Sequence, residues 1–335
     1  MCAAMPTPST SPLPFQRWAV TGGTGLVGNN VVRALVAAGA EVRVLSRKPP
    51  RREFAGLAVE EVSGDLDDTS ALGRAFAGVE CVVHAAAMVE IRYGGRAEME
   101  AVNVKGTANV LAALPPGVRL VHVSTVDALG MRTRALPADE DCQPAAHEGG
   151  VPYVDTKRAA DRLVQESGAN AVIVYPTYMF GPWDWRPSSG KMLLEIGAGK
   201  GLLAPPGGNN FVDVRDVVAG LLAAAAAPAG GRWILGGENL SYREAWALMA
   251  EVTGGRAPLG ELPAWVARAA AVGFDGARAV GLREGEINAA AIRMSTLPHY
   301  FSPARARAEL ALPHTPLRTA LADAWAWFGE QGMRG

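Results

Sequence analysis

Thr21-Gly22-Gly23-Thr24-Gly25-Leu26-Val27-Gly28 is the stretch that decides the fold. It follows a short apolar run, Arg17–Thr21, and opens a segment with apolar residues at helical spacing, 26–38, that stops at Gly39. Glycines in a strand-to-helix turn let the backbone bend sharply and approach a ligand closely, and the helix N-terminus then offers free N–H groups to an anion. With 39 glycines in 335 residues the bare G-x-x-G-x-x-G pattern is weak, and an ordinary glycine turn is the alternative. Its position at the head of a strand–helix–strand unit gives it weight. Gly22, Thr24, Gly25, Leu26, Val27 and Gly28 are therefore expected to cradle a dinucleotide pyrophosphate.

Outward from the loop, further strands are expected at 42–45, 59–62, Cys81–His84, 120–124 and 171–175, with helices at 70–77, 99–114 and Pro152–Glu166. The strands are continuous apolar runs rather than alternating ones, as in a parallel sheet covered on both faces. The expected fold is α/β: a Rossmann-type doubly wound parallel sheet with a smaller, mostly helical C-terminal substrate lobe. Residues 1–16 read as a disordered tail, 17–178 and 211–236 as the dinucleotide domain, and 179–210 and 237–335 as the lobe. The segment 211–227 reads as a strand and a helix that return to the main sheet.

Composition narrows the function. Hydrophobic residues make up 49% and charged ones 19%, enough apolar surface to exclude general disorder. Thirty-two basic side chains against 33 acidic ones leave a net charge of −1, without the basic excess of a nucleic-acid binder. Three cysteines, Cys2, Cys81 and Cys142, make neither a disulfide framework nor a four-cysteine zinc site. His84, His122 and His147 lack metal-ligand spacing, so no metal is expected; His84 reads as packed at its strand end. The N-terminal residues lack the basic start and apolar core of a secretory signal, and the alanine-rich 217–230 is too short to span a bilayer. A cytoplasmic protein is expected.

Where a carboxylate would bind a ribose 2′-hydroxyl, about 20 residues after the glycines, the chain reads Ser46-Arg47-Lys48, followed by Arg51 and Arg52. A hydroxyl and cations suit a 2′-phosphate, which favours NADP(H) with NAD(H) possible; a solvated basic loop is the alternative. Tyr153-Val154-Asp155-Thr156-Lys157 sets a phenol and an ammonium at i, i+4 on one helix face. Reducing a carbonyl creates an alkoxide that must gain a proton. A tyrosine with a pKa near 10 serves near neutrality if its phenolate is stabilised by about three units, roughly 4 kcal/mol, and a neighbouring lysine in a dry pocket is a source of that. A surface helix pair is the alternative. Thr125 and Ser124, at a strand end, supply a hydroxyl beside the same carbonyl or simply cap the turn.

These pieces together resemble the extended short-chain dehydrogenases/reductases, of NAD-dependent epimerase/dehydratase type, from about Arg17 to Phe328. The likeness is carried by the TGGTGLVG loop, Gly64-Asp65-Leu66, His84-Ala85-Ala86-Ala87, Asn103-Val104-Lys105-Gly106-Thr107, Val123-Ser124-Thr125, the Tyr153–Lys157 motif, Phe180-Gly181-Pro182 and 211–217, in family order. The resemblance implies that Asp65 and Leu66 meet the adenine side, that Ala85, Ala86, Ser124 and Pro176 line the cofactor, and that Asn103 supports the active-site helix. It also implies that Tyr153 and Lys157 are catalytic, with Thr125 at the Ser/Thr position and Ser124 as its neighbour and fallback. A homodimer through the helices around 100–114 and 152–166 is implied as well.

Within the family, Leu235–Leu240 and Phe301–Arg305 resemble the dihydroflavonol-reductase-like branch. Tyr175, Tyr178 and Asn209-Asn210 stand where nucleotide-sugar epimerases tend to carry cationic and amide partners, which shifts the balance toward reductase. The aromatics Tyr178, Phe180, Trp183 and Trp185 suggest a flat or apolar carbonyl substrate, or else lobe packing or a subunit contact; Asp127 is a candidate for a polar substrate group. The helix 263–271 is apolar enough for membrane contact, site cover or core packing, with packing the expectation. The sequence thus predicts an NADPH-dependent ketone reductase. A sugar epimerase that retains its cofactor and a non-catalytic NADP-binding sensor are the alternatives.

Overall fold

The computed structural model describes residues 13–48, 52–145, 149–280, 285 and 287–334. Arg51 and His147, singled out in the sequence, lie outside these residues, as do 1–12 of the expected tail. Leu13 and Phe15, expected in that tail, pack on the core, and the Gln16 N–H donates to Glu80 at 2.9 Å.

The chain runs β1 (Arg17–Thr21), α1 (Leu26–Ala37), β2 (Glu41–Ser46), β3 (Glu60–Ser63), α2 (Thr69–Phe76) and β4 (Cys81–His84). One long helix follows: α3 (Arg96–Met99), a π-helical Glu100–Lys105 and α4 (Gly106–Ala113). Then come β5 (Arg119–Val123), α5 (Pro152–Glu166), β6 (Ala171–Pro176), β7 (Tyr178–Phe180), α6 (Gly190–Gly197), β8 (Leu203–Ala204), β9 (Gly208–Asp213), α7 (Val214–Ala226) and β10 (Arg232–Leu235). The remainder is β11 (Glu238–Ser241), α8 (Tyr242–Thr253), β12 (Gly260–Glu261), α9 (Ala264–Ala279), α10 (Ala289–Ser295), β13 (Pro298–His299), α11 (Ala304–Leu310) and α12 (Leu317–Glu330).

Seven parallel strands form the main sheet in the order β10-β6-β5-β4-β1-β2-β3. Successive side chains point to opposite faces, and both faces are buried. Trp18, Val20, Val83, Val121 and Val172 face α1 and α7, while Ala19, Val82, Leu120 and Ile173 face the side of α2, α4 and α5. This is why the strands read as unbroken apolar runs. The chain reverses its direction of winding between β1 and β4, and ligands of open α/β sheets bind outside the C-terminal strand ends at such a switch point.

Two sequence assignments need correction. Strand β9 does not return to the main sheet. It is the centre of a second sheet, paired with β7, β11 and β13, and every one of its residues is buried. The place beside β6 goes to β10, a four-residue strand too short to stand out as a pattern. Tyr178 likewise begins the second sheet rather than ending the first. Phe180, Phe211, Trp185, Trp327 and Phe328 form the core of this lobe, together with α6, α8 and α12.

Helix α9 also departs from expectation. It buries only Ala267 and Ala271, against α10, and leaves Trp265 72% and Val272 66% exposed. Core packing therefore accounts for one side of this helix only. No helix among the described residues is long and apolar enough to cross a membrane.

Candidate active site

The glycine loop owes its shape to contacts that leave no room for side chains. Gly22 has φ +72°, and a Cβ there would lie 2.5 Å from the Ala86 nitrogen. A Cβ on Gly28 would meet the Gly22 carbonyl oxygen at 2.2 Å. Gly25 differs: it is exposed, and a Cβ on it would have the Gly22 oxygen as its closest neighbour at 3.5 Å. That open space leaves the backbone accessible to a ligand. Gly25 caps α1 without a side-chain hydrogen bond, and the first turn holds no acidic residue, so its N–H groups are offered to an anion. The residues fit a dinucleotide pyrophosphate. Thr24, Leu26 and Val27 complete the turn, and Ala85 donates its N–H to the Thr21 carbonyl at 3.1 Å, placing Ala85 and Ala86 against the loop.

At the end of β2, Ser46 donates to the Lys48 carbonyl at 3.0 Å, and Arg47 and Lys48 are exposed. Asp65 is exposed, and its Oδ1 accepts the N–H groups of Asp67 and Asp68 at 2.9 and 3.1 Å. Leu66 is wedged against Gly106, where a Cβ would come within 2.6 Å of it. Pro176 is buried at the end of β6.

Pro152 starts α5 and turns Tyr153, Lys157 and Asp161 inward at i, i+4 and i+8. They are 7%, 3% and 5% exposed. The Tyr153 hydroxyl lies beside Thr125, which caps the 3₁₀ turn Val126–Ala128 and whose hydroxyl donates to Asp127 Oδ2 at 3.4 Å. Ser124 is turned away and donates to Asp161 Oδ2 at 2.8 Å. Lys157 Nζ donates to the Val123 carbonyl at 2.9 Å. Asn103 lies in the π-helical segment, accepts the Met88 N–H at 2.8 Å, and donates to the Met88 carbonyl and to Thr156 at 3.0 and 3.1 Å. It thereby ties the segment after β4 to α5.

The electrostatics differ from the sequence expectation. Burial pushes the Tyr153 phenol up, the Asp127 carboxylate adds to this, and only the neighbouring Thr125 hydroxyl acts the other way. The phenol is held firmly protonated. Burial pushes the Lys157 ammonium down, and Asp161 opposes that loss of charge. Behind them lies a buried polar layer. His122 Nε2 is 3.3 Å from Asp161 Oδ1, and the His122 and His84 rings are 5.5 Å apart. His84 bonds Thr21 at 2.7 Å and Thr107 at 3.1 Å. Burial keeps both imidazoles below their ordinary range, and hence neutral. Asp161 escaped the sequence reading, although its spacing of four from Lys157 was a usable signal.

The substrate-side residues are redistributed. Phe180 is 1% exposed and sits between Tyr178 and Phe211, so packing leaves its ring no surface for a ligand. Trp183 adopts φ +70° and lies 3.3 Å beneath the Arg33 guanidinium, against Trp185 and Trp327. Its ring joins the lobe to α1. Tyr178 is half-buried against Phe211. Asp127 keeps an exposed edge and lies 3.7 Å from His299 Nε2. The apolar wall around Tyr153 is built instead from Met88, Ile91, Tyr93, Val151, Ala290 and Met294. The residues of α10 came from a part of the chain with no motif.

The glycine geometry separates binding from folding. Gly25→Ala should cost the fold no more than about 1 kcal/mol, the loss of a tolerated cap, while weakening dinucleotide binding at least tenfold in a fluorescence titration. Gly28→Ala, which forces the loop and α1 apart, should cost on the order of 3 kcal/mol and lower the melting temperature as well as the affinity. If Gly25→Ala bound cofactor as tightly as the parent, the cradle would lie elsewhere.

The comparisons with known proteins agree with this arrangement. Residues 18–236 match the model of the NAD dependent epimerase/dehydratase family. The chain is 36% identical over 324 residues to "Sterol demethylase protein B" of Methylococcus capsulatus, covering 94% of this chain and 98% of that protein. It is 34% identical over 325 residues to a Synechocystis sp. protein named "Putative dihydroflavonol 4-reductase", covering 93% and 94%. The crystal structure of gox2253 superposes with a TM-score of 0.82 at 34% identity, over 96% of this chain and 100% of that one. The chain belongs to the NAD dependent epimerase/dehydratase family and is an NAD(P)-dependent reductase or dehydrogenase of the extended short-chain type.

Proposed function

We propose that this protein uses NADPH to reduce a ketone on a bulky, apolar small molecule to an alcohol. The observation that carries the reading is the buried Tyr153 hydroxyl beside Thr125 inside an apolar wall, next to the segment that lines the glycine loop. When bound, the cofactor supplies the hydride. The chain supplies the rest. Thr125 donates a hydrogen bond to the carbonyl oxygen, and Tyr153, kept protonated by burial and by Asp127, donates its hydroxyl proton to that oxygen as it becomes an alkoxide. Lys157 provides positive charge one turn along, where it favours the phenolate that remains, and Asp161 keeps that lysine charged. Met88, Ile91 and Met294 exclude water from the reacting oxygen.

An apolar substrate is supported by this wall and by the sterol in the name of one relative. NADPH over NADH is supported by the exposed Arg47 and Lys48 at the end of β2. A homodimer through α3, α4 and α5 is supported by a groove of about 700 Å³ on their solvent side, lined by Arg96, Glu100, Lys105, Asp155 and Leu163.

Turnover of bulky ketones with NADPH, followed by loss of cofactor fluorescence, tests the reading directly. Tyr153→Phe should lower kcat by roughly 10²–10⁴-fold with cofactor affinity retained. Isomerisation of a nucleotide sugar without net cofactor loss would overturn it in favour of an epimerase. Arg47→Ala should reduce the NADPH-over-NADH ratio of kcat/KM about tenfold or more, the loss of one charged hydrogen bond. Asp161→Asn removes the carboxylate that holds the Lys157 pKa up, so the ammonium is lost at lower pH. The basic limb of the rate profile should move down by about one pH unit, with KM little changed.

A further inference from the structure

We propose that the outward face of α9, with the leucines beside it, docks on a lipid bilayer bearing anionic headgroups. The functional consequence rests on the apolar-ketone reading above; the docking itself does not.

Helix α9 is apolar on both sides. Its inner side seats Ala267 and Ala271 on α10. Its outer side carries Trp265, Ala269, Val272 and Gly276 at spacings of 4, 3 and 4, all exposed. That spacing lines them up along one helix face, with Trp265 at the N-terminal end. Leu202, Leu203 and Leu259 are further exposed apolar side chains at the β8–β12 pair, whose second strand leads into α9 and where the Leu259 N–H bonds the Leu202 carbonyl at 2.9 Å. So many large exposed apolar side chains in one part of a chain mark an interaction surface.

Charge selects the occupant. Arg256, Arg268 and Arg278 lie in this region against Glu261 and Asp275; Asp275 is engaged by Arg293 and Arg278 lies over the Tyr93 ring, which leaves Arg256 and Arg268 as exposed cations. Arg268 is exposed on the flank of the stripe, where a long cationic side chain reaches headgroups while the apolar face enters the lipid. A tryptophan at the edge of such a face is suited to the interfacial region.

The same helix bears on the site. Its partner α10 contributes Ala290 and Met294 to the apolar cluster around Tyr153, and the groove between the two helices is lined by Arg268, Val272 and Arg293 as well as Ala267, Ala271 and Ile292. One helix pair therefore offers its outer side to lipid and its inner side to the reacting centre. A membrane-dissolved ketone would enter where the enzyme docks.

Flotation of the full chain with vesicles of phosphatidylglycerol and phosphatidylethanolamine tests this. The parent should float with the vesicles, and W265S/V272S should partition about tenfold less or worse. L136S, a change at an exposed leucine elsewhere, should float like the parent. W265S alone, assayed by tryptophan quenching with brominated acyl chains, keeps the test decisive if the double variant folds poorly: the parent should be quenched more than W265S. A parent that stays unbound, or variants that float and quench like it, overturns the proposal. So does sedimentation in which α9 variants lose a concentration-dependent dimer while no vesicle binding is seen. Absence of ketone turnover with vesicle binding intact would overturn the reductase reading and leave the docking surface standing.

Discussion

A phenol, an ammonium and a carboxylate share the inward face of α5 with almost no access to water, and the rest of the site is arranged around that burial. An ammonium taken out of water is unfavourable unless it is hydrogen-bonded and paired. Lys157 meets both conditions through the Val123 carbonyl and the field of Asp161. Asp161 in turn accepts a hydrogen bond from Ser124, and His122 Nε2 lies 3.3 Å from its other oxygen. Each member is tolerable only because the next is present. This explains the run His122-Val123-Ser124-Thr125 at and just after the end of β5, each residue of which stands beside a buried polar group of α5.

The layer behind these residues serves the same end without charge. His84 spans Thr21 on β1 and Thr107 on α4, so the strand that ends in the glycine loop and the helix that carries Asn103 are tied to one neutral imidazole. Asn103 then fixes Met88 and Thr156. The glycine loop and Tyr153 come from segments more than 100 residues apart. They are held in register by short hydrogen bonds rather than by a single domain contact.

The aromatic segment after β6 has a structural task. Phe180 and Trp185 are sealed into the lobe, and Trp183 lies under Arg33 with its backbone in the left-handed region, a conformation that a tryptophan keeps only where packing enforces it. Asn30 on α1 donates to the Pro182 carbonyl at 3.0 Å, so the lobe is fastened to the helix of the glycine loop. Apolar character around Tyr153 comes from Met88, Ile91 and α10 instead.

Much of the site and of the main sheet was legible in the chain itself. Covalent spacing sets which residues share a helix face and which strand precedes a turn, so the glycine loop, the apolar strands and the Tyr153–Lys157 pair could be read directly. Asp161 obeys the same spacing and was legible in principle. Only tertiary structure decided the rest. Thr125 rather than Ser124 meets the phenol because the two hydroxyls, adjacent in an extended chain, point to opposite sides. Strand β9 left the main sheet because pairing partners, not apolar content, assign a strand. The outer face of α9 is bare because alanines suffice to seat its inner face. Periodicity reports that a side chain is apolar; only the positions of distant neighbours determine whether anything covers it.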